Sequence, residues 1–452
     1  MRFFPALQPC FPSQSHGPLL TLAIDDFRFN TSTGFLHGLN NIDLLGLVIE
    51  ASSMVDSVAL GGTQNWQNRL YQMEVPLCIS NDELLFSAYN QLINNGRINR
   101  EIGLRLMTEA DFFPLTSLAK MVKESRFGKQ IFFNENLHVN TTNICVLACR
   151  FCAFRKGSRH SEAYELTIDE YLHRIEPFSE IIDEVHSVGG LHPSWSVEHY
   201  EELYRKTRKR FPHVHIKSLT AVEIKHIASR SNLSVKRTLE RLSAAGLDSI
   251  PGGGAEILVD SVRDRICRGK ESSQEYIDIH KIAHSIGIPT NCTMLFGTVE
   301  TANERIIHLE KLRNLQDQTE GFQCFVPYPF LPDHSRLPEA QLATSNEILR
   351  VIAVSRLMLD NIPHIKAYRM NIGDNIGQMG LICGADDIDG TVGHEEIMHS
   401  AGSTTSLTTS SEELAKLVLE VGCRPIRRNT IYSSFEEIIF EENIEARLPI
   451  LV

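Results

Sequence analysis

From about residue 95 onward, apolar positions alternate between helical and strand spacing. Residues 99–110 and 114–126 repeat apolar side chains at helical intervals, Leu115, Leu118, Met121 and Val122 among them, and predict two helices. Residues 131–140 (IFFNENLHVN) alternate like a strand. Short apolar runs then predict strands at 182–188, 214–219, 248–250, 290–296, 322–327 and 365–370. Between them the amphipathic stretches 197–210, 235–245, 272–286, 302–315 and 346–359 predict helices, with helical segments continuing to the C-terminus. Parallel strands need long crossover connections, so this alternation implies a parallel α/β sheet. Roughly eight such units favour a closed (β/α)8 barrel of the TIM type over an open doubly wound sheet.

The pattern divides the chain. Residues 131–435 form the expected barrel, 91–130 a helical lead-in, 1–90 an N-terminal extension of unspecified role and 436–452 a tail. The extension meets Pro5, Pro9 and Pro12 early and lacks the charged start and apolar core of a secretory signal. Within it, residues 44–49 predict a short strand or buried helical turn, and Gly61-Gly62 a turn. Since the alternation begins later, removing roughly residues 1–85 is expected to leave the barrel folded.

Composition narrows the partners. A net charge of −12 speaks against nucleic acid or an anionic membrane as the main partner. No apolar run approaches a membrane span. The chain is long enough to bury a large core, and a small-molecule substrate in the cytoplasm is the expectation. Of ten cysteines, Cys145, Cys149 and Cys152 stand apart in a C-x3-C-x2-C run; Cys10, Cys78, Cys267, Cys292, Cys324, Cys383 and Cys423 are scattered singly and read as small core residues. A [4Fe–4S] cubane is normally held by four thiolates. A run that offers three leaves one iron open to a small molecule. Structural zinc asks for four closed ligands, and no second C-x-x-C or H-x3-H lies nearby. Iron–sulfur chemistry also belongs in a reducing compartment.

The cysteine run, with the aromatic Phe151 before its last member, resembles the signature of radical S-adenosylmethionine (SAM) enzymes. Further words are similar, in the same order, to the aminodeoxyfutalosine synthases of the futalosine route to menaquinone: Val188–Pro193, Leu219–Ile224, Pro251–Ile257, Ile365–Tyr368 and Gly384–Thr391. The resemblance covers roughly residues 95–435. It implies a radical SAM barrel with a [4Fe–4S] cluster on Cys145, Cys149 and Cys152, and SAM used as a co-substrate. It implies an external electron donor such as a flavodoxin or ferredoxin. The reaction implied is addition of the 5′-deoxyadenosyl radical to the vinyl double bond of 3-[(1-carboxyvinyl)oxy]benzoate, giving 6-amino-6-deoxyfutalosine. The related cyclase of the same pathway, which abstracts hydrogen instead, and a non-catalytic iron–sulfur or zinc protein are the alternatives.

The resemblance also assigns residues. Gly189 and Gly190 follow the second strand, where related proteins receive the methionine amino group of SAM; Leu191 stands where many of them carry a glutamate. Glu223 and Glu256 are placed to accept hydrogen bonds from ribose or ammonium groups, with Phe151 beside the cluster. Residues 291–300 are expected to pack along adenine, although Phe296 replaces an expected tyrosine and Thr298 an expected histidine. His192, Lys366 and Tyr368 are the expected substrate contacts, Arg369 replaces an expected tryptophan, and His138 and His186 are candidates for proton transfer. Lys217, Arg263, Lys270 and Lys366 are the candidate anion partners. Lys366 and Tyr368 share one face of their strand. If that face is the barrel interior, a substrate carboxylate would pair the buried ammonium.

Overall fold

A computed structural model of the 452-residue chain describes residues 58–439 apart from 408–409. The expectations for residues 44–49, Cys10 and residues 440–452 lie outside the described residues. The strands are β1 (Gln130–His138), β2 (Glu184–Ser187), β3 (His215–Ser218), β4 (Thr290–Phe296), β5 (Phe322–Pro329), β6 (His364–Ala367), β7 (Asp387–Val392), β8 (Arg424–Arg428) and β9 (Phe435–Glu437).

Every residue of β1 is buried, and the sheet is built around it. It pairs in parallel with β7 along Phe132–Leu137, with β2 at its C-terminal end and with β8 at its N-terminal end. The order runs β3-β2-β1-β7-β6-β5-β4. The two outer strands do not remain open edges. Ser249 bridges Lys217 of β3 and Ile250 bridges Thr290 of β4, both in parallel. The strand expected at 248–250 is therefore the two-residue piece that joins the edges, and the expected parallel barrel is the observed fold.

The helices at Val197–Arg210 and Val235–Ala245 coincide with the expected bounds, and those at Arg100–Thr108, Phe112–Phe127, Ser273–Ser285, Ala302–Thr319 and Ser345–Met358 lie close to them. Among the described residues five helices open with a capping box, including Thr167/Glu170, Thr220/Glu223 and Thr301/Glu304. Two orphan backbone donors are satisfied at each such start.

Three differences follow from side-chain chemistry. Helices at Trp66–Gln72, Leu77–Ser80 and Glu83–Asn95 precede the expected lead-in, and Trp66, Leu70, Ile79, Leu85, Ala88 and Leu92 are buried in the main core. Removal of residues 1–85 would thus take core side chains with it. Beyond residue 370 the chain is not all helical, because β7, β8 and β9 intervene. β7 reads poorly as a strand because Asp387, Asp389 and Thr391 alternate with Ile388 and Gly390, a polar inward face in place of an apolar one. Finally, Cys78 is exposed on its helix, whereas Cys267, Cys292, Cys324, Cys383 and Cys423 are buried as expected.

The barrel interior is graded. At the end where the strands begin, Phe127, Phe132 and Ile426 cluster with Tyr432 and Phe435. The His364 ring stacks on Tyr432 there at 3.8 Å. Above this plug lies a layer of buried ion pairs, and above that a cavity opens toward the strand ends.

Candidate active site

β1 delivers the chain to the loop that carries the three cysteines. Backbone bonds fix that loop. Cys145 donates to the Lys156 carbonyl at 3.1 Å and Arg150 to the Ile266 carbonyl at 2.7 Å. The Arg336 guanidinium donates to the carbonyls of Ala148 and Cys149 at 2.8 and 3.3 Å. Cys145, Cys149 and Cys152 are free thiols and line one cavity of about 300 Å³, the lower end of the range for small-molecule sites.

Among the described residues no three His, Cys, Asp or Glu side chains converge on one metal-sized point. Structural zinc draws four ligands to such a point, whereas a cubane takes its thiolates on separate irons. Three thiols that line one cavity fit a cluster. Burial pushes the Cys149 thiol up to about 12, against the pull of Lys270, and raises Cys152 as well. Coordination to a metal deprotonates such thiols outright.

The glycine word after β2 packs directly on the cysteine loop. A Cβ on Gly190 would collide with the Ile144 carbonyl, and one on Gly189 would lie 2.8 Å from Thr141 Oγ1 and 3.0 Å from the Thr142 carbonyl. Close backbone approach is thus required here by the loop itself. Glu223 completes the junction. It closes the capping box of the Ala221–Arg230 helix, and its Oε1 accepts the Gly189 N–H at 2.9 Å. Burial raises its carboxyl to about 7, although the bonds from Thr220 and Gly189 favour the ionised form.

Across the cavity Glu256 pairs with Lys270, whose ammonium lies 5.6 Å from the centre of the Phe151 ring. Burial alone would lower Lys270; Glu256 and Glu271 outweigh it and hold the ammonium well above its ordinary range. Arg263 is no free anion partner, since it donates to the carbonyls of Gly254, Ala255 and Glu271 and braces the triple-glycine turn.

Strand alternation fills the interior with polar groups. Asn134, Asn136 and His138 of β1, Glu184 and His186 of β2, Lys217 of β3, Tyr328 of β5, Lys366 of β6, Tyr368 just after it and Asp389 of β7 all line the cavity. Lys217 is paired with Glu184 at 2.8 Å. Lys366 is paired with Asp387, which also receives Arg428 at 2.7 Å. The inward-facing ammonium therefore has a partner within the chain, and its burial requires no substrate carboxylate. His138 and His186 stack at 4.3 Å, and burial lowers them to about 3 and about 4, so both are neutral.

Phe151, Gly189, Gly190, Glu223, Glu256, Lys366 and Tyr368 thus meet the three cysteines around one cavity. His192 does not. It stacks on Trp195 and pairs with Glu165 at 2.5 Å, away from the cavity wall. Phe296, Thr298 and Arg369 also lie outside the lining; Thr298 and Arg305 hold Glu300 in the turn after β4. Sequence reasoning missed Asn134, Asn136, Asp389 and Arg428. Their signal was the polar half of an alternating strand.

A parallel barrel with three free thiols lining one cavity suits an enzyme that holds an iron–sulfur cluster. The chain belongs to the radical SAM superfamily. That family's model matches residues 139–312, and the model of the CofH/MqnC C-terminal region matches residues 319–440. The chain is 37% identical to the aminodeoxyfutalosine synthase of Thermus thermophilus over 81% of its own length and 99% of the relative's. It is 38% identical to the 5-amino-6-(D-ribitylamino)uracil–L-tyrosine 4-hydroxyphenyl transferase of Methanothermobacter thermautotrophicus over 75% of this chain and 95% of that one. It is 36% identical to the cyclic dehypoxanthine futalosine synthase of Streptomyces coelicolor over 75% and 85%. The fold matches methylornithine synthase with a TM-score of 0.61 at 16% identity, covering 74% of this chain and 96% of that one. Among the described residues no helix is long and apolar enough to cross a membrane.

Proposed function

We propose that the protein joins the 5′-deoxyadenosyl group of SAM to an aromatic enol ether, the C5′–S bond breaking and methionine leaving. The 5′-deoxyadenosyl group adds to the vinyl double bond of 3-[(1-carboxyvinyl)oxy]benzoate, and rearrangement with loss of the carboxyl carbon gives 6-amino-6-deoxyfutalosine for menaquinone synthesis. The observation that carries this reading is the position of the two synthase-like words. Ile365–Tyr368 and Gly384–Thr391 form neighbouring strands, with Lys366 opposite Asp387 and Ala367 opposite Ile388. Lys366, Tyr368 and Asp389 from those words line the cavity that the cysteines line.

Cys145, Cys149 and Cys152 are the residues that would hold the cluster. A bound [4Fe–4S] cluster supplies the single electron that cleaves SAM reductively, replenished by a donor such as a flavodoxin or ferredoxin. The chain does the rest by placement. Glu223 fixes the Gly189 amide, so the glycine word keeps one position against the cysteine loop. Glu256 and Lys270 present a neutralised pair beside Phe151, suited to the zwitterionic methionine end of SAM. Apolar Leu147, Leu295, Val326 and Phe330 complete the wall and exclude water from a reactive carbon.

The test is a substrate panel. Anaerobically reconstituted, reduced protein is incubated with SAM and, separately, the enol-ether benzoate, dehypoxanthine futalosine, or tyrosine with 5-amino-6-(D-ribitylamino)uracil. Mass spectrometry should show an adduct with the enol-ether benzoate alone. Turnover of either of the other two without it would reassign the enzyme to the cyclase or the tyrosine transferase.

A further inference from the structure

None of Lys217, Lys270 and Lys366 reaches the cavity as an unpaired cation. Two other residues line it and carry buried polar atoms with unmet bonding capacity. Asn134 of β1 and Asp389 of β7 are register partners in the parallel pairing. Their side chains therefore leave the sheet on the same face, and both line the cavity. Each residue is only 1% exposed. Asn134 Nδ2 and Asp389 Oδ1 have no hydrogen-bond partner of good geometry, although the Arg369 backbone N–H lies near enough to the Asp389 carboxylate to favour its ionised form. A buried polar atom left unpaired costs about 1–3 kcal/mol, so two side by side against a cavity mark a ligand seat.

Resting on the function proposed above, we infer that Asn134 and Asp389 seat the ring carboxylate of the aromatic substrate, Asp389 as a carboxylic acid. One substrate oxygen accepts the Asn134 amide N–H. The other accepts an O–H from Asp389, the proton being taken from solvent as the ligand enters. No bond other than that O–H is made or broken.

The surroundings suit this. The other oxygen, Asp389 Oδ2, accepts from Thr391 Oγ1 at 3.4 Å, and that hydroxyl also lies 3.1 Å from Asn136 Oδ1. The charged groups that act on Asp389 are Arg369 and Lys366, and Tyr368 lies in the field of Asp389 together with Glu395 and Tyr328. Lys366 is engaged by Asp387 and Arg369 by Asp374. Burial raises the Asp389 carboxyl to about 6 even against Arg369 and Lys366. A second anion brought beside it raises it further. A hydroxyl from ribose could meet the same two atoms, but its binding would take up no proton.

Calorimetry separates these. Holoenzyme with SAM is titrated with 3-ethoxybenzoate, an unreactive aromatic carboxylate, at pH 7.5 in two buffers of different ionisation enthalpy. The wild type should take up close to one proton per ligand bound, as linkage requires of an acid whose affinity for protons rises on binding. Asp389→Asn keeps shape and a donor, so uptake should vanish with modest change in affinity. Asp389→Leu should weaken binding at least ~10-fold, the loss of one buried hydrogen bond. Uptake unchanged in Asp389→Asn, or wild-type affinity in Asp389→Leu, overturns the inference and leaves the substrate class standing. Loss of SAM binding in both variants overturns it by assigning the pair to SAM. No binding of the carboxylate by wild-type holoenzyme overturns both the inference and the function it rests on.

Discussion

Gly190 shows how little room one residue has. Its neighbour is the Ile144 carbonyl, an atom of rigid backbone just ahead of Cys145. Gly190→Ala must push the cysteine loop or the end of β2 aside. Overpacking of this kind costs about 1–3 kcal/mol, and the loop that moves is the one that carries the thiols. The expected outcome is a lower midpoint of thermal unfolding together with less iron retained per chain after reconstitution. Full iron at wild-type stability would remove the close-packing account. Gly189 and Glu223 belong to the same junction, since the Gly189 N–H bonds to the Glu223 carboxyl and the Gly189 Cα faces Thr141 and Thr142. The chemistry of the thiols was legible from three cysteines at fixed spacing. The partner of Lys366 was not, because Asp387 lies on a later strand and meets it only through the sheet pairing, where Arg428 also binds it.

At the scale of elements, buried charge sets the register of β6 and β7. Asp386 precedes β7, and its carboxylate accepts the Ile365 N–H at 2.8 Å. It also pairs with Arg356 of the Ser345–Met358 helix and with His364 Nδ1 at 2.5 Å. One carboxylate thus bolts a helix to two strands. Arg356 and Asp386 are fully buried. Asp386→Ala leaves an unpaired guanidinium in the core, which costs about 3–5 kcal/mol. A urea unfolding midpoint shifted by less than about 1 kcal/mol equivalent would contradict that reading. The same chemistry explains what the sequence concealed. β1, β4 and β5 carry long apolar or alternating runs, and helices such as Ala302–Thr319 have a readable T-x-x-E start. β7 spends its inward positions on Asp387, Asp389 and Thr391, so periodicity does not mark it as a strand, and the sequence reading runs helical segments through it. Its polarity follows from its place, since it faces ion pairs and a cavity rather than a core.

The barrel arranges these parts along one axis. An aromatic plug closes the lower end, ion pairs form a polar floor, and the cavity above is shared by the cysteine loop, the glycine words and β6–β7. The proposed function puts a reactive carbon from SAM and an aromatic ligand together in this one cavity. That suits joining the two as well as hydrogen abstraction, so the fate of the adenosyl carbon is the decisive quantity. SAM labelled with 13C at the 5′ carbon is supplied to reduced enzyme with 3-[(1-carboxyvinyl)oxy]benzoate, and products are separated by mass. The account predicts that the label appears in 6-amino-6-deoxyfutalosine in proportion to the SAM consumed. Label recovered only in free 5′-deoxyadenosine, with no labelled adduct, would contradict it.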